Sequence, residues 1–194
     1  MSIKIAYQGF YTMEVHETPQ GRREVLRTTD SVSVLVFDKK RDRIILVRQP
    51  RQSMVWDDNP KGLITESIAG RFDTKISVEE LIVKELREEI GATIRGEQVR
   101  LLNNEHPMAV SAGAITEKTY LALVELEEGQ LEETERMFTA DRENEQISRV
   151  YLHISDIGRY VCEDVRVFAL LQYFQLLYIT KLAMSMTPDD TAKR

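Results

Sequence analysis

Three glutamates, Glu85, Glu88 and Glu89, are crowded into one short segment whose spacing favours a single helix face. At about 100° per residue, their side chains cover an arc of roughly 100° on a helix that spans residues 77–90. An apolar stripe lies beside this arc and is formed by Val78, Ile82, Leu86 and Ile90. The helix therefore has one face for a core and an acidic flank beside it.

The position of these carboxylates is unfavourable for an isolated helix. They lie in its last turn, at the negative end of the helix dipole, where acidic side chains are disfavoured. Glu85 and Glu89 are also one turn apart, and like charges at that spacing repel. Hard carboxylate oxygens without clustered histidine or cysteine suit Mg²⁺ or Mn²⁺. From the residues alone, a metal site and a solvated acidic flank both remain open.

The helix that carries the glutamates has clear boundaries in the sequence. Ser77 is a good N-cap residue, and Glu80, three positions on, completes a capping box. Gly91 follows the last apolar position and is typical of the residue just after a helix. We therefore predict a helix over 77–90.

The other elements follow from alternation, apolar runs and breaks. Residues 3–16 and 22–29, separated by a turn at 18–21, predict an N-terminal hairpin. Residues 31–37 and 43–47 predict a second antiparallel pair. Shorter strands are expected at 63–69, 98–103, 118–126 and 150–154, with a helical turn at 156–160, a helix from Val165 to about Met184 and a frayed tail at 187–194. Mixed strands with two clear helices predict an α/β (α+β) sandwich.

Composition restricts the class of protein. The chain has 194 residues, which suits one domain with an appendage, and its net charge of −6 argues against a nucleic-acid polymer as partner. Cys162 is the only cysteine, so an intrachain disulfide is impossible and a reduced, cytoplasmic setting is expected. No secretion signal and no run of roughly 18 apolar residues is visible, so no membrane segment is expected. The negative charge does not argue against a small phosphate ester as ligand, since a metal ion can cancel charge locally.

The acidic segment resembles the Nudix box. That motif begins with a glycine, continues to a glutamate, and closes with Arg-Glu-apolar-x-Glu-Glu-x-Gly-apolar. Here Gly70 opens it and residues 84–92 (KELREEIGA) close it at the matching spacing. Ile76 stands where the motif has its first glutamate, and Lys84 stands where it has arginine. In the family the first glutamate and the arginine help to brace the loop and the metal-binding helix. Ile76 cannot do that, and Lys84 lacks the bidentate fork of arginine.

Further segments resemble the ADP-ribose and GDP-mannose pyrophosphatase branch of the Nudix hydrolases, in the expected order. They are residues 23–25 (REV), 47–51 (VRQPR), 66–70 (ESIAG), 111–117 (SAGAITE) and 143–145 (ENE). The resemblance implies a Nudix α-β-α sandwich with a mixed sheet over residues 31–186. It also implies that the hairpin at 1–30 is a dimerisation element, so a homodimer is expected.

The resemblance carries roles onto individual positions. Glu85, Glu88 and Glu89, with the backbone carbonyl of Ala69, are expected to bind Mg²⁺, with Mn²⁺ as an alternative, and Glu145 to assist. Glu143 is expected to act as the general base, and Glu88 is placed in the same catalytic centre. The residues expected to bind substrate are Arg51, Ser111, Gly113 and Glu117.

The implied reaction is hydrolysis of the pyrophosphate bond in a nucleoside diphosphate sugar to a nucleoside monophosphate and a sugar phosphate. Substrates of the ADP-ribose type and of the GDP-mannose type are close rivals at this stage. Because of Ile76 and Lys84, a non-catalytic regulatory domain that binds a nucleotide sugar is the alternative. A purely structural dimer module is a third, weaker one.

Overall fold

The computed structural model describes residues 2–133 and 147–185, with side chains as far as residue 181. The strands are β1 (Ser2–Gln8), β2 (Thr12–Thr18), β3 (Gly21–Arg27), β4 (Ser31–Asp38), β5 (Arg43–Pro50), β6 (Leu63–Glu66), β7 (Ile68–Arg71), β8 (Val99–Leu101), β9 (Met108–Ala109), β10 (Lys118–Leu126) and β11 (Ser148–His153). The helices are α1 (Val78–Ile90) and α2 (Val165–Ser185), with 3₁₀ turns at Gln52–Met54, Gly96–Gln98, Asn103–Glu105 and Ile154–Arg159. Within these residues, no helix combines the length and the apolar character needed to cross a bilayer.

The N-terminal region is a separate three-stranded antiparallel sheet in the order β1-β2-β3. The prediction of a two-stranded hairpin is therefore wrong. Residues 3–16 form two strands rather than one, so the sheet has three strands. A tight turn separates them at Gly9, whose N–H donates to the Tyr11 carbonyl over 2.9 Å. Strand β1 is exposed along its whole length, including Ile3 and Ile5.

The main sheet has the order β11-β5-β4-β10-β8, and β4 lies at its centre. Strands β4 and β10 run parallel in register from Ser31↔Thr119 to Asp38↔Leu126, while β4 and β5 run antiparallel. Every residue of β4 is buried, as expected for a strand covered on both faces. The sheet is mixed, as predicted.

Each face of the main sheet is covered by an apolar layer. Leu81, Ile82, Leu86 and Ile90 of α1 pack on one face. Val167, Leu170, Leu171 and Phe174 of α2 pack on the other. The architecture is therefore the predicted α-β-α sandwich.

The central strands β4 and β5 separate along their length. They pair only from Val36↔Ile45 to Asp38↔Arg43. Beyond that point β6 pairs with β5, and β7 pairs with β4, so the chain fills the gap by bending at Ser67. We call this opening the sheet fork. It brings the end of β6 and the start of β7 against helix α1.

The boundaries of α1 follow the predicted signals. The Ser77 hydroxyl accepts the Glu80 N–H over 3.1 Å, and the Glu80 carboxylate accepts the Ser77 N–H over 2.8 Å. Gly91 ends the helix in the left-handed conformation at φ 61°. This start and end fix which residues of α1 face the sheet fork. The predicted tail at 187–194 lies outside the described residues.

Candidate active site

Two of the three predicted glutamates point into the protein at the sheet fork. Glu85 is 9% exposed and Glu89 is 4% exposed, whereas Glu88 is only partly buried. The Ala69 N–H donates to Glu89 Oε2 over 3.4 Å. Strand β7 and the inner edge of α1 thus meet through a buried carboxylate. A solvated acidic flank does not describe Glu85 and Glu89.

Gly70 makes room for Glu85. A Cβ atom at Gly70 would lie 2.3 Å from Glu85 Oε1 and Cδ and 2.4 Å from its Cγ. Such contacts are far shorter than carbon and oxygen atoms tolerate, so a side chain at this position would displace the carboxylate. The glycine that opens the Nudix box is required here by packing against the acidic helix.

Burial dominates the electrostatics of the two inner glutamates. Burial raises the pKa of Glu85 to about 7, with Lys84 opposing the rise and Glu88 adding to it. Burial also raises the pKa of Glu89 well above its ordinary value, and the neighbouring charge of Glu85 raises it further. The Ala69 N–H and Arg51 offset only part of this effect. Two buried, mutually repelling carboxylates are a donor set that a divalent cation fits.

Lys84 takes part in this cluster. Its Nζ lies 3.6 Å from Glu85 Oε1 and 3.3 Å from Glu88 Oε2. Ile76, the other departure from the motif, packs against the core beside α1. Within residues 2–133 and 147–185, no three His, Cys, Asp or Glu side chains converge closely enough to hold one ion. The metal role of Glu85, Glu88 and Glu89, and that of the Ala69 carbonyl, stays a prediction.

A buried carboxylate that was not assigned from the sequence lies at the end of β6. Glu66 is 5% exposed. It accepts hydrogen bonds from Arg51 Nε at 2.8 Å, Gln49 Nε2 at 3.2 Å and Arg166 Nη2 at 3.0 Å. Its charge also contributes to the raised pKa of Glu89. Glu66 thus links Arg51, a predicted substrate-binding residue, to the acidic edge of α1.

Arg166 and Asp164 complete this network at the start of α2. Arg166 Nε lies 3.1 Å from both carboxylate oxygens of Asp164, and its Nη2 lies 2.5 Å from Oδ2. Burial opposes the charge of Arg166, but Asp164, and then Glu66 and Glu117, raise the pKa of the guanidinium above its ordinary value. The only sequence signal for these residues was the position of Glu66 in the ESIAG segment.

The predicted substrate loop lies beside the same region. Glu117 Oε1 accepts the Ser31 hydroxyl over 2.6 Å, and its charge acts on Arg166. Ser111 and Gly113 are exposed, with nothing near the position of a Gly113 Cβ. The loop is tied to the N-terminal sheet, because Leu26 N–H donates to the Ala114 carbonyl over 2.8 Å. The substrate roles of these residues stay predictions.

Two predicted site residues cannot be placed. Glu143 and Glu145, the expected general base and the expected assistant to the metal, lie outside the described residues. Their assignments stay predictions.

The fold and the site together define a class of protein: an α-β-α sandwich with a glycine packed against a buried acidic helix edge at the sheet fork. Residues 27–170 match the sequence model of the NUDIX domain. The chain therefore belongs to the Nudix family, which confirms the predicted Nudix hydrolase.

Two curated proteins place it more closely. It is similar to the GDP-mannose pyrophosphatase of Cronobacter sakazakii (strain ATCC BAA-894), with 26% identity over 161 residues that cover 82% of this chain and 81% of that protein. It is also similar to the GDP-mannose pyrophosphatase of Enterobacter sp. (strain 638), with 29% identity over 114 residues that cover 59% of this chain and 56% of that protein. These similarities support the nucleoside diphosphate sugar branch.

Proposed function

We propose that the protein hydrolyses the pyrophosphate bond of a nucleoside diphosphate sugar in a reaction that depends on Mg²⁺. The products are a nucleoside monophosphate and a sugar phosphate. The observation that carries the proposal is the pair of buried glutamates, Glu85 and Glu89, packed against the backbone of Ala69 and Gly70. Both curated relatives are GDP-mannose pyrophosphatases, so GDP-mannose is the first substrate to test and ADP-ribose the second.

The chain's own groups divide the work as follows. Glu85, Glu88 and Glu89, with the Ala69 carbonyl, would hold the cation, and Gly70 leaves space for Glu85. When bound, a divalent ion neutralises the pyrophosphate and makes a water molecule more acidic. Fixed charges of this kind are favourable where charge develops on phosphoryl oxygens.

Arg51 is the proposed ligand for a phosphate group of the substrate. Guanidinium groups bind phosphate through paired hydrogen bonds, and Glu66 orients this one through Arg51 Nε. Ser111, Gly113 and Glu117 provide the substrate side of the site, and Ser31 fixes the Glu117 carboxylate. A substrate held between Arg51 and this loop has its pyrophosphate near the acidic edge of α1.

Glu143 is the proposed general base, and Glu145 assists the metal. Glu143 accepts a proton from water as the water oxygen bonds to phosphorus, and the bridging P–O bond breaks with its electrons on the departing phosphate. A base in this role must come within hydrogen-bond distance of the water when substrate is bound. The test is whether Glu143→Gln lowers kcat with little change in KM.

The proposed assembly is a homodimer that forms through the N-terminal sheet. Strand β1 exposes Ile3, Ile5 and Tyr7, which are 54%, 60% and 66% exposed. A row of large apolar side chains on an exposed strand favours an interaction surface. Sedimentation of the chain and of an Ile3→Lys, Ile5→Lys variant tests the assembly. The cytoplasmic setting expected from the single cysteine stays a proposal.

A non-catalytic nucleotide-sugar sensor is the second candidate. It is favoured by Lys84, whose ammonium group already lies beside Glu85 and Glu88, and by the apolar Ile76. Here the acidic edge would be partly neutralised by the chain itself. Ligand binding without turnover would follow.

One assay separates the two candidates. A panel of nucleotide sugars is incubated with the protein and Mg²⁺, and a coupled phosphatase reports the monoester products. The enzyme proposal expects turnover that is lost with chelator and falls at least about a hundredfold in Glu89→Gln, the scale for losing a group that stabilises a transition state. Absence of turnover together with thermal stabilisation by one nucleotide sugar would support the sensor.

A further inference from the structure

A chain of alternating charges runs from the start of α2 to the proposed phosphate-binding arginine. Asp164 pairs with Arg166, Arg166 pairs with Glu66, and Glu66 pairs with Arg51. We call these four residues the ion-pair chain. They come from three places in the sequence, and the Arg166–Glu66 contact joins residues 100 positions apart. The ion-pair chain therefore connects the start of α2 to the sheet fork.

Glu66 needs Arg166 as well as Arg51 to compensate its charge. Its carboxylate is 5% exposed and acts on Glu89, which is itself buried and close to Glu85. A buried carboxylate whose partner is removed is strongly destabilising, because its charge stays uncompensated. With both arginines present, the two negative and two positive charges of the ion-pair chain cancel. Without Arg166, Glu66 would add negative charge to a region that must accept a pyrophosphate.

Arg166 is held in a fixed place. The Asp164 carboxylate accepts the backbone N–H of Arg166 over 2.6 Å as well as its guanidinium, so the first turn of α2 sets the position of both residues. The planar guanidinium can reach Asp164 and Glu66 at the same time, which the single ammonium of a lysine does less well. The geometry thus requires arginine and not only a positive charge.

We propose that Arg166 is a positioning residue for substrate binding, which rests on the proposed function. It neutralises and orients Glu66, and Glu66 in turn orients the Arg51 guanidinium toward a diphosphate. Loss of Arg166 leaves Glu66 to draw Arg51 toward itself and to repel the substrate. Arg166 acts through Glu66 and does not itself contact phosphate.

The test is a double-mutant cycle with Arg166→Met and Glu66→Gln, together with Arg166→Lys. Each variant is examined by two measurements: steady-state kinetics with a nucleotide sugar give KM and kcat, and calorimetry gives the binding of methylenediphosphonate with Mg²⁺. Arg166→Met is expected to raise KM and to weaken diphosphonate binding by about tenfold or more, the scale for removing one partner of a buried charge pair. Arg166→Lys should lie between wild type and Arg166→Met.

The double variant gives the sharpest result. Removing the carboxylate as well as the guanidinium should restore most of the lost binding, because the uncompensated charge is gone. A double variant as weak as Arg166→Met would mean that Arg166 contacts phosphate directly, and the proposal fails. Unchanged KM and diphosphonate binding in Arg166→Met, with only a lower Tm, would show a purely structural role and would also overturn it.

The matched control is Arg159→Met. Arg159 pairs with Asp156 over 2.8 Å at the surface, in the 3₁₀ turn before α2, and its side chain is exposed. Its loss should leave KM and diphosphonate binding unchanged. If the wild type binds diphosphonate but hydrolyses no nucleotide sugar, the proposed function fails while the binding cycle still decides the role of Arg166. If Arg166→Met does not fold, the soluble double and Arg166→Lys variants decide it.

Discussion

The substitution Gly70→Ala should weaken metal binding far more than it weakens the fold. A Cβ atom at this position would lie 2.3 Å from Glu85 Oε1 and Cδ, whereas real Cβ contacts essentially never fall below 3.0 Å. The nearest atoms must therefore separate by at least 0.7 Å, the difference between these two distances. The atoms that meet the new methyl group belong to the end of the Glu85 side chain, so this carboxylate is the group that moves.

The losses of stability and of metal affinity both depend on the displacement of the Glu85 carboxylate. Overpacking a filled site costs about 1–3 kcal/mol, and a flexible glutamate end places this substitution at the low end of that range. Mg²⁺ holds oxygen ligands at about 2.0–2.1 Å in a near-ideal octahedron, so a ligand displaced by that amount is lost. We expect a fall in Mg²⁺ or Mn²⁺ affinity of about 10–100-fold, as for loss of groups that support metal ligands.

Two measurements check this prediction. Calorimetric titration with Mn²⁺ gives the metal affinity, and thermal unfolding without metal gives the stability. The matched control is Gly158→Ala, because nothing lies within 4 Å of a Cβ atom at Gly158. It should unfold within about 0.5 kcal/mol of wild type and bind Mn²⁺ equally well. If Gly70→Ala binds Mn²⁺ as tightly as Gly158→Ala, Glu85 is not a metal ligand.

Three other predictions concern charge and backbone. Lys84→Met removes an ammonium group beside two expected metal ligands, so Mn²⁺ affinity should rise by about fivefold. The gain is modest because the ammonium group is half exposed and its charge is screened by solvent. A fall in Mn²⁺ affinity, measured by calorimetry, would contradict this. The Arg27 guanidinium lowers the pKa of Glu14 to about 2. The ionised Glu14 carboxylate should therefore stabilise the fold fully above about pH 4.5, and this contribution should be lost as the pH falls toward 2. In urea unfolding, the free energies of unfolding of wild type and Glu14→Gln should converge near pH 2. Gly62→Ala should lower Tm by several degrees, because Gly62 has φ +59° and its Cβ would lie 2.3 Å from the Arg51 carbonyl oxygen; an unchanged Tm would refute the strain.

The sequence predicted those elements whose signals are local. Ser77, Glu80 and Gly91 mark the ends of α1 because capping is decided within a few residues. The alternating pattern of residues 3–16 predicted one strand. The turn at Gly9 was missed because the residues on both sides of it are suited to strand. Residues 63–69 likewise read as one strand, whereas the chain bends at Ser67 and pairs with two different neighbours. Pairing partners are decided by distant segments and have no local signal.

The same distinction applies to the site. Glu85, Glu88 and Glu89 could be assigned from the sequence because they share one helix and one motif, and their metal role stays a prediction. Arg166 could not be assigned, because its contact with Glu66 joins residues 100 positions apart. A buried ion pair between distant segments becomes visible only when the fold brings them together.

The energetic costs of this fold are concentrated at the sheet fork. Besides the buried acids, Gln49 Oε1 and Ser67 Oγ are buried there without a hydrogen-bond partner in the part of the chain that the structure describes. An unsatisfied buried polar atom costs about 1–3 kcal/mol, and apolar side chains would remove that cost. An apolar layer covers each face of the sheet and stabilises the fold against this cost. Local conflict within an otherwise consistent fold is typical of a functional site. These buried polar groups support the proposed site at the fork by a physical argument that does not depend on the family motif.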